Sequence, residues 1–293
     1  MLFLANEQMI KIKKQDMLKI SIVVPSFNQG KFLEETFISI IRQGYPCVEI
    51  IVMDGGSTDN SVEVIKKYEK YITYWQSQKD KGQSDAINSG FRKATGDYVT
   101  WLNSDDVLLP GALLNIAKTI EKNPDVNWFL GNVLWLNKIG NVIRVGKVEK
   151  ECWFWNKHYL FSNGGPTAIM KREYLLEIGA LREDFHYMMD TELWNRYVSL
   201  GNKFVRINSY CWGLRLHEQA KMSGHNFADS PLANKNHPSW IQKHKETTIL
   251  KANYPINQWL ERIWRITKIF TSAFYSRYFD KKLLGTNYKS LRF

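Results

Sequence analysis

Two adjacent carboxylates, Asp105 and Asp106, close the apolar run "YVTWLNSDD". Neighbouring anions about 4 Å apart repel by about 4 kcal/mol at an effective dielectric near 20, so the pair calls for a cation beside it. A hard divalent ion meets that need, because Mg2+ takes one or two carboxylates together with the phosphate oxygens of a ligand. The competing reading is a strand-end Asp that caps the following helix. Capping needs only one carboxylate, and Pro110 already supplies a helix start. Three further stretches, "PSFNQG", "DGGSTD" and "DKGQSD", also set small and polar residues directly after apolar runs.

These stretches must be positioned by the elements around them. "KISIVVPSF", "VEIIVMD", "ITYWQS" and "DYVTWLN" read as strands. They alternate with the helical patterns "KFLEETFISIIRQG", stopped by Gly44, "DNSVEVIKKYEKY", with Asp59 as its N-cap, and "QSDAINSGFRKAT". Repeated β-α units predict a mostly parallel sheet flanked by helices. In such sheets ligands bind beyond the carboxyl ends of the strands, where all four polar loops lie. After Gly111 a helix "ALLNIAKTIEKN" precedes a predicted hairpin of "VNWFLGNVLWL" and "GNVIRVGKV". Helices over "KREYLLEIG" and "MMDTELWNRYVSLG" follow, then two short strands, "KFVRIN" and "YCWGLRLH".

Several chemistries are excluded by missing patterns. No G-x-x-x-x-G-K-[ST] or strand-following G-x-G-x-x-G is present, which argues against a P-loop kinase or a dinucleotide dehydrogenase. H-E-x-x-H and G-x-S-x-G are absent as well. The three cysteines, Cys47, Cys152 and Cys211, form no C-x-x-C pair, which points to a reducing, cytoplasmic setting. "MLFLANEQ" turns polar too early for a secretory segment, and no apolar run is long enough to span a membrane.

The 293 residues carry a net charge of +11, which calls for an anionic partner. More than half of that excess lies after Asn253, where eight Lys or Arg face only Glu261 and Asp280. In helical projection Trp259, Ile263, Ile266, Phe270 and Phe274 share one face. A basic amphipathic segment of this kind suits an anionic membrane surface better than nucleic acid; its competing reading is a helix folded back on the core or at a dimer contact.

"SIVVPSFNQGKFLEETFISIIRQ", "IIVMDGGSTDNS", "DKGQSDAINSGFRKATGDYVTWLNSDD" and "MMDTELWNR" together resemble the inverting glycosyltransferases of family 2, of the bacterial cell-surface glycan type. The likeness is strongest over 20–113 and looser over 163–223. It implies an α/β GT-A fold: a mostly parallel sheet flanked by helices, a smaller acceptor-side lobe and a C-terminal helical tail. The implied division is an N-terminal extension at 1–18, a nucleotide-sugar-binding half at 19–124, an acceptor-binding half at 125–226 and a basic amphipathic segment at 227–293.

Site roles follow from the resemblance position by position. Pro25, Ser26 and Asn28 would line the nucleotide, and Asp54 would bond the base, uracil being the commonest. Lys81, Gly82 and Asp85 fall in the loop that closes on base and donor. Asp106 would bind Mg2+ or Mn2+ and Asp105 the ribose or the metal, with Asn103 standing where many members carry another Asp. Asp190, preceded by Met189 in place of the usual Glu, would be the catalytic base; its alternative is a helix-start acid favoured by the macrodipole. His217 would bind metal or phosphate, with Arg215 and Lys221 facing the leaving diphosphate. A lone His also serves structural roles.

"SNGGPT" would border the acceptor, or form a tight turn. Trp101 and "CWFWNKHY" would stack on sugars, although core packing is the commoner use of such rings. The expected activity is transfer of a sugar from a nucleotide diphosphate donor, UDP-linked by preference, to a hydroxyl of a glycan or lipid-linked acceptor. A nucleotidyltransferase on a related sheet and a non-catalytic GT-A binding module are the alternatives.

Overall fold

The computed structural model describes residues 17–148, 167–218, 220–221, 238–254 and 283–291. The first four strands are β1 (Ile20–Ser26), β2 (Val48–Asp54), β3 (Tyr74–Ser77) and β4 (Tyr98–Trp101), and they pair in parallel in the order β3-β2-β1-β4. Between them run α1 (Gly30–Ile41), α2 (Ser61–Tyr68) and α3 (Gln83–Lys93). Strand periodicity accounts for the two-sided core. Ile20, Ile22 and Val24 of β1 join Ile50 and Val52 of β2 against Leu33, Phe37 and Ile65. Val23, Ile51 and Met53 face the other side, against Ile87, Phe91 and Trp101. With both faces covered, these strands read as unbroken apolar runs.

The sheet continues through β5 (Val107–Leu108), β6 (Trp128–Leu136), β7 (Val142–Gly146), β8 (Ala168–Lys171) and β9 (Val205–Arg215). Its full order is β3-β2-β1-β4-β8-β6-β9-β5, with β7 on β6. β8 pairs antiparallel with both β4 and β6, so the sheet runs unbroken past residue 125. The helices of this half are α4 (Ala112–Glu121), α5 (Arg172–Glu177), α6 (Met189–Ser199) and α7 (Pro238–Asn253).

Three local readings are corrected. Asp59 does not cap α2: the N-cap is Asn60, while the Asp59 carboxylate accepts from the Gly30 and Ser61 amides at 2.9 Å and so ties α1 to α2. The two short strands at 203–217 are one strand, β9. Its register against β6 jumps from Gly131↔Ile207 to Asn132↔Tyr210, so the polar Asn208 and Ser209 mark a bulge rather than a break. The short strands β5 and β8 went unseen because neither has room for an alternating pattern. The predicted hairpin forms as β6 and β7.

The chain's end returns to the core. Asn287 bridges Asn141, and Tyr288, 5% exposed, packs with Val107, Leu134, Leu136 and Tyr210. The apolar stripe from Trp259 to Phe274 of the basic segment, "CWFWNKHY", and Ser162 to Pro166 of "SNGGPT" lie outside the described residues. Among the described residues no helix is long and apolar enough to cross a membrane.

Candidate active site

β1, β2, β3 and β4 all end at the same edge of the sheet, so the loops after Ser26, Asp54, Ser77 and Trp101 converge there. They open into a cleft of about 1100 Å³ lined by residues of these loops together with Asp190, Arg215, Lys221 and Lys243. Three polar atoms on its wall are buried with no protein partner among the described residues: Ser26 Oγ, Gln29 Oε1 and Trp101 Nε1. Buried polar groups are rarely left unpaired, so these atoms mark places for a polar ligand.

A strand pairing assembles the acidic end of the cleft. β5 runs antiparallel to β9 with Val107 opposite Gly213, so the residues before Val107 meet those after Gly213. A Cβ on Gly213 would stand 2.8 Å from side chains of both Val107 and Leu136, so the crossing requires glycine. Asp105 and His217 are thereby joined across 112 residues, with His217 Nε2 3.0 Å from Asp105 Oδ2. The His217 ring is buried and lies 4.4 Å from Phe32.

Asp106 is held differently. Its Oδ1 accepts from the Arg215 amide at 2.8 Å and its Oδ2 from Asn103 Nδ2 at 2.9 Å. Burial and the charge of Asp105 push its carboxyl well above the ordinary carboxylate range. Both carboxylates line the cleft, Asp106 with a protein donor at each oxygen and Asp105, its side chain 16% exposed, the more open of the two. Arg215 is not free for a diphosphate. Its guanidinium, with the side chain 1% exposed, donates to the Asp105 carbonyl at 3.0 Å, the Lys138 carbonyl at 2.7 Å and Glu35 at 2.5 Å.

The nucleotide-side residues divide. Pro25, Ser26 and Gly82 line the cleft. Asn28 does not: at φ 53° it accepts from the Thr58 amide and donates its own amide to Ser57, bridging two loops. Asp54 is 2% exposed and accepts from the amides of Gly56 and Ser57 and the hydroxyls of Ser57 and Ser77. That carboxylate shapes its loop. Lys81 is exposed, and its amide donates to Asp85, which opens α3. Asp80, not singled out from the sequence, lines the cleft instead. It lies over Gly55, where a Cβ would come within 2.7 Å of its Oδ2.

Asp190 sits in the first turn of α6, lines the same cleft and accepts from the Thr191 amide at 2.6 Å. Its placement as a helix-start acid and its access to the cleft thus coexist. Lys221 donates to Gln83 Oε1 at 2.9 Å, and Gln83 in turn donates to Asn103 Oδ1 at 2.8 Å. Burial lowers the Lys221 ammonium to about 8, with Asp190 and Glu246 opposing the shift. Trp101 is 1% exposed and stacks on Trp194, so its ring belongs to the core although the residue borders the cleft.

Among the described residues no three His, Cys, Asp or Glu side chains cluster as a metal cage. A two-donor set, Asp105 with His217, still suits a cation whose remaining ligands are diphosphate oxygens and water.

The comparisons with known proteins agree with this layout. The Glycosyl transferase family 2 pattern matches residues 21–179. A GalNAc(5)-diNAcBac-PP-undecaprenol beta-1,3-glucosyltransferase of Campylobacter jejuni is 34% identical over 187 residues, 61% of this chain and 59% of that one. A poly-beta-1,6-N-acetyl-D-glucosamine synthase of Staphylococcus epidermidis is 27% identical over 48% of this chain and 35% of its own length. The matched stretches thus span less than two thirds of these relatives. Among solved structures, S. aureus TarS with UDP superposes at a TM-score of 0.53, with 19% identity over 68% of this chain and 61% of that one. The Pyrobaculum calidifontis mannosyltransferase PcManGT with GDP-Man and Mn2+ superposes at 0.55, with 17% identity over 79% and 64%. With a family match over more than half of its length and the GT-A arrangement of sheet and loops, the chain belongs to glycosyl transferase family 2.

Proposed function

We propose that this protein is a divalent-metal-dependent inverting glycosyltransferase that moves a sugar from a nucleotide diphosphate donor, UDP-linked by preference, to a hydroxyl of a glycan or lipid-linked acceptor. The observation that carries the reading is one cleft lined by both Asp105 and Asp190, together with Ser26, Gln29 and Trp101, whose buried polar atoms have no protein partner among the described residues. Support for a nucleotide-sugar donor comes from the structural neighbours, bound to UDP and to GDP-Man with Mn2+. A lipid diphosphate acceptor is suggested by the undecaprenol-linked substrate in the name of the Campylobacter relative, and by the basic stripe after Asn253.

In this mechanism Asp190 accepts the proton of the acceptor hydroxyl as that oxygen attacks the anomeric carbon. The new C–O bond forms as the bond from that carbon to the diphosphate oxygen breaks, which inverts the centre. Asp105 and His217 would hold the cation, whose contribution when bound is to neutralise diphosphate charge. Lys221 supplies further positive charge to the leaving group, and Ser26 and Gln29 offer polar contacts to the nucleotide. Asp106, Asn103 and Gln83 hold the loop in shape.

A panel of nucleotide sugars, screened with and without Mn2+ for thermal stabilisation and then for release of the nucleoside diphosphate, tests the proposal. A ligand at 100 times its dissociation constant adds about 2.7 kcal/mol, enough to read. One donor should stabilise the protein in a Mn2+-dependent way and turn over. Binding without turnover with any acceptor would instead mark a non-catalytic module.

A further inference from the structure

α7 lies wholly beyond the stretch matched to the family, yet it touches the site at two points. Lys243 lines the cleft, and one turn later Glu246, 1% exposed, points at the loop that leads into α6. Glu246 Oε1 accepts from the His186 amide at 2.8 Å, and Oε2 from the amides of Tyr187 at 2.8 Å and Met188 at 2.9 Å. Gln242 Nε2 adds a fourth bond to the carboxylate, at Oε1, at 2.8 Å. Three consecutive backbone N–H groups converging on one anion form a tight cradle, and without the carboxylate those part-buried donors would lose their partner. The negative charge also sits at the amino end of α6, where the helix dipole favours it.

What that cradle fixes is the approach to the catalytic wall. Met188 is the N-cap of α6 and its carbonyl accepts from the Glu192 amide, so the path of residues 186–188 sets where the first turn of α6 begins. Asp190 lies two residues further on. The same loop carries Tyr187 beneath the Lys221 ammonium, 5.5 Å from its ring centroid, and His186 beside Gly82.

We infer that Glu246 is a positioning residue for the reaction: by clamping the backbone of His186, Tyr187 and Met188 it places the Asp190 carboxylate against the acceptor hydroxyl. This rests on the reading of Asp190 as the base. In Glu246→Gln one carboxylate oxygen becomes an NH2 group, which cannot accept from the amides it faces, while volume is kept. Glu246→Asp keeps both oxygens on a shorter arm.

The test compares steady-state release of nucleoside diphosphate with calorimetric affinity for UDP and Mn2+ in Glu246→Gln, Glu246→Asp and Asp190→Asn. Misplacement of a reacting group by about 1 Å costs about a hundredfold, so Glu246→Gln should lose about tenfold to a hundredfold in turnover while UDP affinity changes by less than about twofold. Glu246→Asp should recover part of the loss. Amide exchange on the unaltered protein should show His186, Tyr187 and Met188 protected, a readout that needs no variant to fold. Unchanged turnover in Glu246→Gln, UDP affinity falling in step with turnover, or unprotected amides at 186–188 would each overturn the inference. If Asp190→Asn itself turns over normally, the reading of Asp190 fails first; if Asp190→Asn is inactive and Glu246→Gln is not impaired, only the role of Glu246 fails.

Discussion

Asp105 and Asp106 share a peptide bond but not their partners. Both border the cleft, Asp105 paired with His217 and Asp106 held by Arg215 and Asn103. Asp105→Asn should therefore abolish the gain in UDP affinity on adding Mn2+, checked by calorimetry with and without the metal. Asp106→Asn should keep that gain and lower stability by about 1 to 3 kcal/mol, checked by urea denaturation, because an amide cannot satisfy both buried donors. Asp190→Asn should bind UDP normally and lose about a hundredfold or more in turnover. Lys221 brings a pH dependence. Burial lowers its ammonium to about 8, so the charge is present below that pH and fades above it. An anionic diphosphate favours the charged form, and UDP affinity should weaken as pH rises beyond about 8. In Lys221→Gln that weakening should disappear from the calorimetric pH series. Residue types and spacing pointed to the paired carboxylates, and the resemblance to family 2 pointed to Asp190. Neither told how each carboxylate of the pair is held, because their partners Arg215 and His217 lie about 110 residues away. Asn28, Asp54, Lys81 and Asp85 were legible as loop positions, but each meets a neighbouring backbone or hydroxyl group that local sequence does not reveal.

At the scale of elements, β5 and β9 do the joining and α1 holds the joint. Thr36 donates to the carbonyls of Ser104 and Asp106, while Glu35 binds Arg215 and takes Tyr288 and Lys289 from the chain's end at 2.9 and 2.7 Å. Glu35→Ala would leave the buried Arg215 guanidinium without its carboxylate, a loss on the order of 3 kcal/mol measurable by urea denaturation. The β-α units before residue 101 were legible because each strand is buried on both faces and each helix keeps its period. The second half was harder to read. β9 carries a polar bulge, β5 has two residues, and β8 enters the sheet antiparallel between strands from different parts of the chain.

For the whole molecule, charge and connectivity pull the C-terminal region two ways. Its net excess of Lys and Arg suits an anionic surface, while Tyr288 and its neighbours are built into the core. Simple truncation after Asn253 would confound the two by removing both. Replacing Arg262, Arg265, Lys268 and Arg277 with Gln instead leaves the returning segment in place. Each such charge is worth about 1 kcal/mol near an anionic surface, so the variant should lose sedimentation with phosphatidylserine vesicles while keeping UDP binding. Retained sedimentation would remove the membrane contact.

The return of residues 283–291 to Glu35 also sets an order in time. A chain emerging from the ribosome at about 5 to 20 residues per second can pair β1 to β4 early, but Tyr288 follows the Glu35 it meets by 253 residues. The acidic loop thus gains this brace only after β1 to β9 have been made. A chain stopped before Tyr288 would carry the family's motifs but leave Glu35 without the Tyr288 hydroxyl and the Lys289 ammonium.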